Sequence, residues 1–427
     1  MKKVMFLTVL VLMAIIITAC GGEEESSNAN DNEVSLWVHT SDETPEGEAM
    51  QSIIDRFNEE NEGTYSAKIE FIPRSGAGGG YEDKINAALT TDTLPDVLTL
   101  DGPNTAAYAE AGMIAPIGDY ITNKDDLLPS IIQQGTYDDQ LYAVGYSESG
   151  VGIFYNKQML EEAGIDLSTL PTVEEPWDWN QFMELSETLV NTHDTAAIDM
   201  GFDDKSEWLM YAFSPFLWSQ GGNLVSEDGS TAEGHFNDEN SVKTFRFIQE
   251  MVKEGYTTIT PVEKGFHTAE YPMKFGGSWT IAEMEDYPDV EYGVMPYPTS
   301  PDTDELVSPS GSWQYAMAAS SEKQEAAGAL IDFMTSTESL TEITLANSVL
   351  PAAHSVVEEV QDKVSPQMNV LIQQNQNSAH ARPVLPNYPQ VSRVFQQTVS
   401  DAAYYEENSD VQKLLDEKTG QMEKALK

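Results

Sequence analysis

VSLWVHTSDETPEGEAMQSIIDRFNEEN, residues 34–61, predicts a β-strand that leads directly into an α-helix. Apolar and polar side chains alternate over residues 34–39, which is typical of a strand with one buried face. Over residues 48–61 the apolar side chains instead fall on one face of a helix: Met50, Ile53, Ile54 and Phe57. A strand followed by a helix is the first unit of an α/β fold.

The same order of elements recurs in the next part of the chain. A strand is predicted at 67–73, a helix at about 81–89 and a third strand at 96–100, introduced by Pro95. Strands that alternate with helices favour a parallel sheet with helices on both faces. The loops at the carboxyl ends of such strands form the binding crevice. The predicted fold class is therefore α/β.

The length and composition of the chain allow two domains. Its 427 residues, of which 40% are hydrophobic, can bury two separate cores. The glycine- and serine-containing segment at 145–152 (GYSESGVG) predicts a crossing between two lobes, and the proline-rich segment at 296–309 predicts a second crossing. Further elements are predicted as helices at 157–163, 179–191, 241–254, 322–334 and about 390–404, and as a strand at 292–295.

The start of the chain predicts export and lipidation. The apolar run at 5–17 is too short to cross the ~30 Å hydrocarbon core of a bilayer, but it has the length of a signal-peptide core. The residues that follow it, ITAC at 17–20, resemble a bacterial lipobox, which is cut before the cysteine. We therefore expect a signal peptide at 1–19, a lipid on Cys20 and a flexible tether at 20–33. An ordinary secretory signal with an incidental cysteine is the alternative.

The charge of the chain excludes several classes of function. It carries 71 acidic and 22 basic residues, a formal net charge of −49. Such a surface repels nucleic acid and anionic lipid, so we expect no nucleic-acid partner. The acidic residues are dispersed along the chain, which predicts adaptation to high salt and no metal site. The single cysteine also excludes a disulfide framework and a cysteine-ligated metal centre.

Several short segments, in their order along the chain, resemble the extracellular solute-binding proteins of ABC sugar importers, the family that includes maltose-binding protein. Each segment is weak alone, and their shared order behind a lipobox carries the resemblance. They are LPDV at 94–97 leading to Asp101, YAEAGMIAPI at 108–117, LYAV at 141–144, YNK at 155–157, GGSW at 276–279 and PNYPQ at 386–390.

The resemblance implies a two-lobe fold with hinge crossings, which closes on a ligand and performs no chemistry on it. Lobe 1 would comprise residues 34–148 and 312–355, and lobe 2 residues 149–311 and 356–427. The implied partners are a carbohydrate, the membrane subunits of an ABC permease and the membrane itself through Cys20. We expect a monomer without cofactors, anchored on the extracellular face of the bacterial cytoplasmic membrane.

Aromatic side chains in glycine-flanked loops are candidates for stacking on a sugar. Trp279 matches the position of a tryptophan that stacks on sugar in the family, and Trp313 has a similar setting beside a predicted crossing. Tyr211 matches a sugar-contacting tyrosine. Packing in a core is the alternative for each of them. Phe395 replaces a stacking tryptophan of the family and is equally compatible with a core position.

Polar side chains near the predicted crevice are the second group of candidates. Asp101 follows the third strand, where the alternative is a turn or helix-capping role. Ser41 and Asp42 follow the first strand, although Asp42 replaces a lysine of the family. This change, together with the loss of the stacking tryptophan, puts maltose itself in doubt. The remaining candidates near family ligand positions or crossings are Glu148, Ser149 and Arg382.

Two other functions stay open. A secreted polysaccharide hydrolase would need two paired carboxylates, and no pair stands out in the sequence. Residues 145–149 lack the final glycine of a serine-nucleophile elbow, and GAGGGY at 76–81 ends in tyrosine where a dinucleotide fingerprint needs glycine. A cationic solute such as a polyamine could bind to Asp42, Asp101 and Glu148. A phosphorylated cargo is not expected, because the candidate loops lack a cluster of basic residues.

Overall fold

The computed structural model describes residues 32–74, 80–91, 93–204, 206–311 and 313–427. The predicted signal peptide, Cys20 and nearly all of the predicted tether lie outside these residues. In the part described, no helix is both long enough and apolar enough to cross a membrane. The same residues contain no group of three or more potential metal-ligating side chains.

The N-terminal elements follow the predicted order. They are β1 (Glu33–Val38), α1 (Pro45–Glu60), β2 (Ser66–Phe71), α2 (Tyr81–Thr91) and β3 (Val97–Asp101). Helix α1 begins where the Thr44 side chain accepts a hydrogen bond from the Gly47 amide at 3.1 Å, and Pro45 occupies the first turn. Strand β1 pairs in parallel with both β2 and β3. The α/β prediction is confirmed for this region.

The first sheet is mixed rather than purely parallel, which corrects the expectation of a parallel sheet. Its order is β2-β1-β3-β13-β4, where β4 is Ile114–Ala115 and β13 is Trp313–Ala318. Strand β13 runs antiparallel to β3 and β4, and also to β7 (Ala143–Gly145). The antiparallel direction arises because the chain returns to this sheet from the second lobe, almost 200 residues after β4.

A second sheet forms the centre of the other lobe. Its order is β11-β8-β10-β9, built from β8 (Val151–Asn156), β9 (Ile198–Asp199), β10 (Met273–Gly277) and β11 (Tyr292–Met295). Strand β8 is antiparallel to both β10 and β11. The strand predicted at 292–295 is therefore confirmed, and the sheet is again mixed.

The remaining elements are mostly helical. A small hairpin consists of β5 (Thr136–Tyr137) and β6 (Gln140–Leu141). The helices are α3 (Thr105–Glu110), α4 (Pro129–Gly135), α5 (Lys157–Glu162), α6 (Trp179–His193), α7 (Trp208–Ser219), α8 (Glu239–Lys253), α9 (Thr280–Glu283), α10 (Gln324–Met334), α11 (Thr337–Asn347), α12 (His354–Val360), α13 (Pro366–Ser378), α14 (Tyr388–Ala403) and α15 (Val411–Ala425). Three short 3₁₀ helices are Gly102–Asn104, Leu167–Thr169 and Met284–Asp286.

The chain crosses between the sheets at several places that lie side by side. Strand β12 (Ser308–Ser310) pairs in parallel with β14 (Ala379–Ala381). Isolated backbone bridges join Glu148 to Leu350 and Ser149 to Gly311. Main-chain pairing therefore joins the predicted crossing at 145–152 to residues 311 and 350, and the end of the predicted crossing at 296–309 to residues 379–381. This connection positions the two lobes on either side of a cleft.

Each sheet has its own apolar core. In the first, Leu36, Phe57 and Met317 are buried between the sheet and its helices, and the core also includes Val356 and Val360, beyond the predicted lobe boundary at 355. The second core is rich in phenylalanine and includes α14 and α15. Phe395 lies in it, 1% exposed, with its ring 5.9 Å from that of Phe245. The core alternative for Phe395 is thus the correct one.

Candidate functional site

A cavity of about 290 Å³ lies between the lobes, beside the crossings. Four aromatic side chains line it, together with seven polar or charged side chains and one glycine. The aromatic residues are Trp208, Tyr211, Trp279 and Trp313, and the others are Arg74, Asp101, Ser149, Asp204, Ser206, Glu207, Gly311 and Arg382. Aromatic rings combined with a few placed polar groups are typical of concave sites for small molecules.

The cavity continues into a polar groove of about 640 Å³. The two share Arg74, Asp101, Asp204, Ser206 and Glu207, and the groove extends along α14. Side chains of that helix which line it include Arg393, Gln396, Gln397 and Ser400. We refer to the cavity and the groove together as the cleft.

Trp279 presents its ring to the cavity because of the glycine two positions before it. A Cβ atom on Gly277 would lie only 2.2 Å from Cη2 of Trp279, so the ring needs a glycine at this position. Trp279 is 40% exposed, which is unusual for a tryptophan, and it meets Trp208 edge-on with ring centroids 6.2 Å apart. The GGSW segment therefore builds an open aromatic surface on lobe 2.

Trp313 forms the aromatic wall on lobe 1. Its ring stacks on that of His39, with centroids 3.4 Å apart and planes at 8°. The guanidinium carbon of Arg74 lies 4.9 Å from the Trp313 centroid. Arg74 and Trp313 both line the cavity, whereas His39 does not. Burial lowers the pKa of His39 well below its ordinary value, and Arg74 lowers it further.

Tyr211 and Ser149 connect lobe 2 to the crossings at the bottom of the cavity. Their hydroxyl oxygens are 2.7 Å apart, and the Ser149 hydroxyl also lies 2.7 Å from the Gly311 carbonyl oxygen, to which it donates. Burial raises the pKa of Tyr211 well above its ordinary value, so its hydroxyl stays protonated and can donate a hydrogen bond.

Arg382 joins the two lobes through a buried ion pair. Its Nη2 donates to Oδ1 of Asp101 at 2.8 Å and its Nη1 to Oδ2 at 3.2 Å. Its Nη1 also lies 3.4 Å from Oε1 of Glu207. Only 6% of the Arg382 side chain is exposed, and its Nε has no hydrogen-bond partner in the described structure. Asp101 ends β3 of lobe 1 and Glu207 precedes α7 of lobe 2, so this arginine contacts both lobes at the cavity.

Glu207 is held by donors from α14. It accepts hydrogen bonds from the hydroxyl groups of Tyr388 and Ser392 and from the Gln396 amide at 3.0 Å. Burial raises the pKa of Glu207 above its ordinary value, an effect that Arg382 partly offsets. Both carboxylate oxygens are therefore engaged inside the protein.

Six of the nine predicted ligand-binding residues line the cavity, which the structure brings together from distant parts of the chain. They are Asp101, Ser149, Tyr211, Trp279, Trp313 and Arg382.

The other three predicted residues lie elsewhere. Glu148 is fully buried at the crossings, where it accepts hydrogen bonds from the Ser310 hydroxyl at 2.9 Å and the Gly311 amide at 3.1 Å. Ser41 and Asp42 do not line the cavity because their loop turns into the start of α1, where the Ser41 carbonyl accepts a hydrogen bond from the Thr44 hydroxyl at 2.7 Å.

Sequence reasoning missed several lining residues. Trp208 lies in a stretch crowded with aromatic residues, so the sequence does not indicate which of these rings enters the cavity, and Glu207 directly precedes it. Arg74 follows β2 and Arg393 lies on α14, so no local cluster of basic residues appears in the sequence. The available signal was the scarcity of arginine, since the whole chain contains five: Arg56, Arg74, Arg246, Arg382 and Arg393.

A larger depression of about 850 Å³ lies between α4 and the segment at 380–385. It contains none of the predicted site residues. Its lining includes Trp218, whose ring stacks on His380 with centroids 4.0 Å apart, and one carboxylate, Glu227. With one carboxylate and one pair of stacked rings, it is a weaker candidate than the cleft, which combines four aromatic side chains with several charged groups.

Comparison with known proteins agrees with the fold. A diacetylchitobiose-binding protein from Streptomyces coelicolor is 24% identical over 358 residues, which cover 79% of each chain. The solved structure of a cyclic α-maltosyl-1,6-maltose-binding protein from Arthrobacter globiformis has a TM-score of 0.80 and 23% identity, covering 92% of this chain and 98% of that one.

A solute-binding protein of an ABC transporter from Thermotoga lettingae, solved with α-D-tagatose, has a TM-score of 0.77 and 21% identity, and covers 93% of this chain and 100% of its own. Residues 40–340 match the family described as bacterial extracellular solute-binding protein. This match spans more than half of the sequence, and the chain belongs to that family.

Proposed function

We propose that this protein captures a carbohydrate, most simply an oligosaccharide, in the cleft and delivers it to the membrane permease of an ABC importer. The observation that carries the proposal is the cavity itself, in which aromatic rings from both lobes face polar side chains. Sugars offer weakly apolar C–H faces and many hydroxyl groups, and they need this combination of surfaces. The names of the relatives, which bind diacetylchitobiose, a cyclic maltosyl-maltose or tagatose, support the same ligand class.

Closure follows from the placement of the aromatic groups. Trp313 extends from the sheet of lobe 1, whereas Trp279 and Tyr211 belong to lobe 2. A ligand that contacts both lobes has more interactions in the closed state than in the open one, so binding shifts the equilibrium towards closure. The closed form then docks on the permease.

The protein acts without catalysis in this proposal. A hydrolase would need one carboxylate free to donate a proton and another free to act as base or nucleophile. Of the three carboxylates in the cavity, Asp101 is bound by Arg382 and both oxygens of Glu207 accept hydrogen bonds from α14, so Asp204 alone cannot supply the pair. The ligand should therefore be released intact.

The remaining features of the proposal concern location and assembly. Residues 1–19 are removed as a signal peptide, Cys20 is lipidated, and residues 20–33 tether a monomer to the extracellular face of the cytoplasmic membrane. The lobes comprise residues 34–148 with 312–355 and residues 149–311 with 356–427, with α12 packed on the first core. The acidic surface supports function at high salt and without nucleic acid.

Replacement of Cys20 by alanine should release the protein from the membrane fraction.

Binding is tested by measuring thermal stability in high salt with mono- and oligosaccharides, polyols and polyamines, followed by calorimetric titration of each compound that stabilises the protein. A sugar that raises the melting temperature and is recovered chemically intact supports the proposal. A sugar that is cleaved during the assay favours the hydrolase. Stabilisation by polyamines alone favours the cationic-solute alternative.

A further inference from the structure

The cleft concentrates arginine in a chain that is poor in basic residues. Three of the five arginines in the sequence line it: Arg74, Arg382 and Arg393. No lysine of the described residues does so, and only five of the 71 acidic residues are among its lining groups. Guanidinium groups are thus strongly enriched among the lining residues, whereas acidic groups are only slightly denser there than in the whole chain.

Most of the carboxylates in the cleft are already bound to donors within the protein. Asp101 binds Arg382, and Glu207 is held by α14. Asp401 forms an ion pair with Lys418, with Nζ 2.6 Å from Oδ2. A ligand therefore meets fewer uncompensated negative charges in the cleft than the composition of the whole chain suggests.

Two of the arginines form no strong ion pair within the described structure. The only ion pair of Arg74 in the described structure is with Glu82 at 3.8 Å, between two side chains that are each 50% exposed, so it is weak. Arg393 is exposed and has no hydrogen bond or ion pair with another described residue. Arg74 lies over Trp313, and a guanidinium stacked on a ring keeps its N–H groups free in its own plane.

We propose that the cleft selects an acidic oligosaccharide, one whose sugar units carry carboxylate groups, and that Arg74 and Arg393 bind these carboxylates. This inference rests on the proposed function and names the ligand class. A planar guanidinium matches a planar carboxylate through two parallel hydrogen bonds. Arg74 follows β2 of lobe 1 and Arg393 lies on α14 of lobe 2, so an acidic sugar chain that binds both contributes directly to closure.

The acidic surface makes this selection dependent on arginine. At low ionic strength a net charge of −49 repels an anionic ligand, but at molar salt the screening length is only ~3 Å. Contacts at hydrogen-bond distance then remain effective while the repulsion from distant carboxylates is suppressed. Two uncommitted guanidinium groups at the site are what such a protein needs to bind an anion in high salt.

The test compares pairs of ligands that differ only in charge. Trisaccharides of galacturonate, glucuronate and mannuronate, each beside its uncharged methyl ester, are titrated calorimetrically into the purified protein in high salt. We expect at least one acid to bind tenfold or more tightly than its ester. Arg74→Gln and Arg393→Gln should each reduce this acid-to-ester ratio by roughly tenfold, the effect of losing one charged hydrogen-bonding group. Arg246→Gln, an exposed arginine outside the cleft, serves as the matched control.

The outcomes separate this inference from the proposed function. If neutral oligosaccharides or the esters bind as tightly as the acids, the selection for carboxylates is wrong and the importer function stands. The same conclusion holds if the acid-to-ester ratio is unaffected by both substitutions. If no oligosaccharide of either kind binds and a polyamine does, both proposals fail.

Discussion

Trp279 is accessible because its neighbour is small. The ring lies against the backbone at Gly277, and its edge meets Trp208, so one face of the indole remains available in the cavity. The open face of this ring can stack on the C–H face of a sugar.

We therefore predict that Trp279→Ala weakens sugar binding by roughly 1–3 kcal/mol, the usual loss for a stacking platform. The unfolding midpoint should stay close to that of the parent protein, since the side chain is already 40% exposed. Calorimetry with the ligand from the screen measures the first quantity and thermal denaturation the second. Leu345→Ala, which truncates another exposed apolar side chain outside the cleft, is the control. Unchanged affinity would assign Trp279 a packing role.

Arg382 differs from Trp279 because its side chain is nearly inaccessible to solvent. It binds charged partners from both lobes. We predict that Arg382→Gln lowers the free energy of unfolding by about 3 kcal/mol, since it leaves Asp101 and Glu207 without a counter-charge. This is the lower end of the range for buried pairs, because the cavity leaves both carboxylates partly exposed. Denaturant titration beside Arg246→Gln tests it, and a loss equal to that of the control would contradict a structural role.

At the scale of elements, the crossings are organised around Glu148. Among the described residues, no lysine or arginine forms an ion pair with this carboxylate. It accepts hydrogen bonds from the Ser310 hydroxyl and from the Gly311 amide. Burial raises the pKa of Glu148 above its ordinary value of 4.5. The Glu148 side chain thereby links the crossing on which it lies to the segment that contains Ser310 and Gly311.

The raised pKa gives Glu148 a defined effect on stability. Below about pH 4.5 the carboxyl group is protonated in the folded and the unfolded chain alike. As the pH rises further, the unfolded chain loses the proton first, so the contribution of Glu148 to stability falls until the pH passes its raised pKa. We predict that Glu148→Gln becomes progressively more stable relative to the parent over this range. Parallel denaturation of the two proteins from pH 4.5 to 8 measures the difference, and a constant difference would refute the prediction.

Sequence patterns predicted the elements better than their connections. Periodicity located β1 and α1 closely, because each has one buried face of regular spacing. It could not place β13 between β3 and β4, since pairing between distant segments leaves no local signal. The same limit explains why only part of the site could be predicted from the sequence. Trp279 and Trp313 stand out through their glycine neighbours, whereas Arg74 and Arg393 converge only through the fold, and Glu148 lies one residue from the cavity-lining Ser149.

At the scale of the whole molecule, the charge decides under which conditions the protein is stable. With −49 charges, the folded chain experiences strong self-repulsion at low ionic strength. The screening length falls from ~30 Å at 0.01 M salt to ~10 Å at 0.1 M and ~3 Å at 1 M. Most of this repulsion is therefore removed between the lowest and the highest of these concentrations.

We accordingly predict that the melting temperature rises steeply with sodium chloride up to about 1 M. The increase should be similar with potassium chloride, because screening depends on ionic strength and not on the identity of the cation. Differential scanning calorimetry without ligand measures it. A melting temperature that is the same in dilute buffer and in molar salt would show that the acidic surface has no role in stability.

The insertion of β13 between β3 and β4 also determines when the first lobe can form during synthesis. Strand β13 comprises residues Trp313–Ala318, so the ribosome must complete about three quarters of the chain before the central position of that sheet can be filled. Until then the edge of β3 has no partner, and lobe 1 cannot complete its core. The first lobe of a nascent chain therefore stays incompletely folded, with an open sheet edge, until most of the polypeptide has been synthesised.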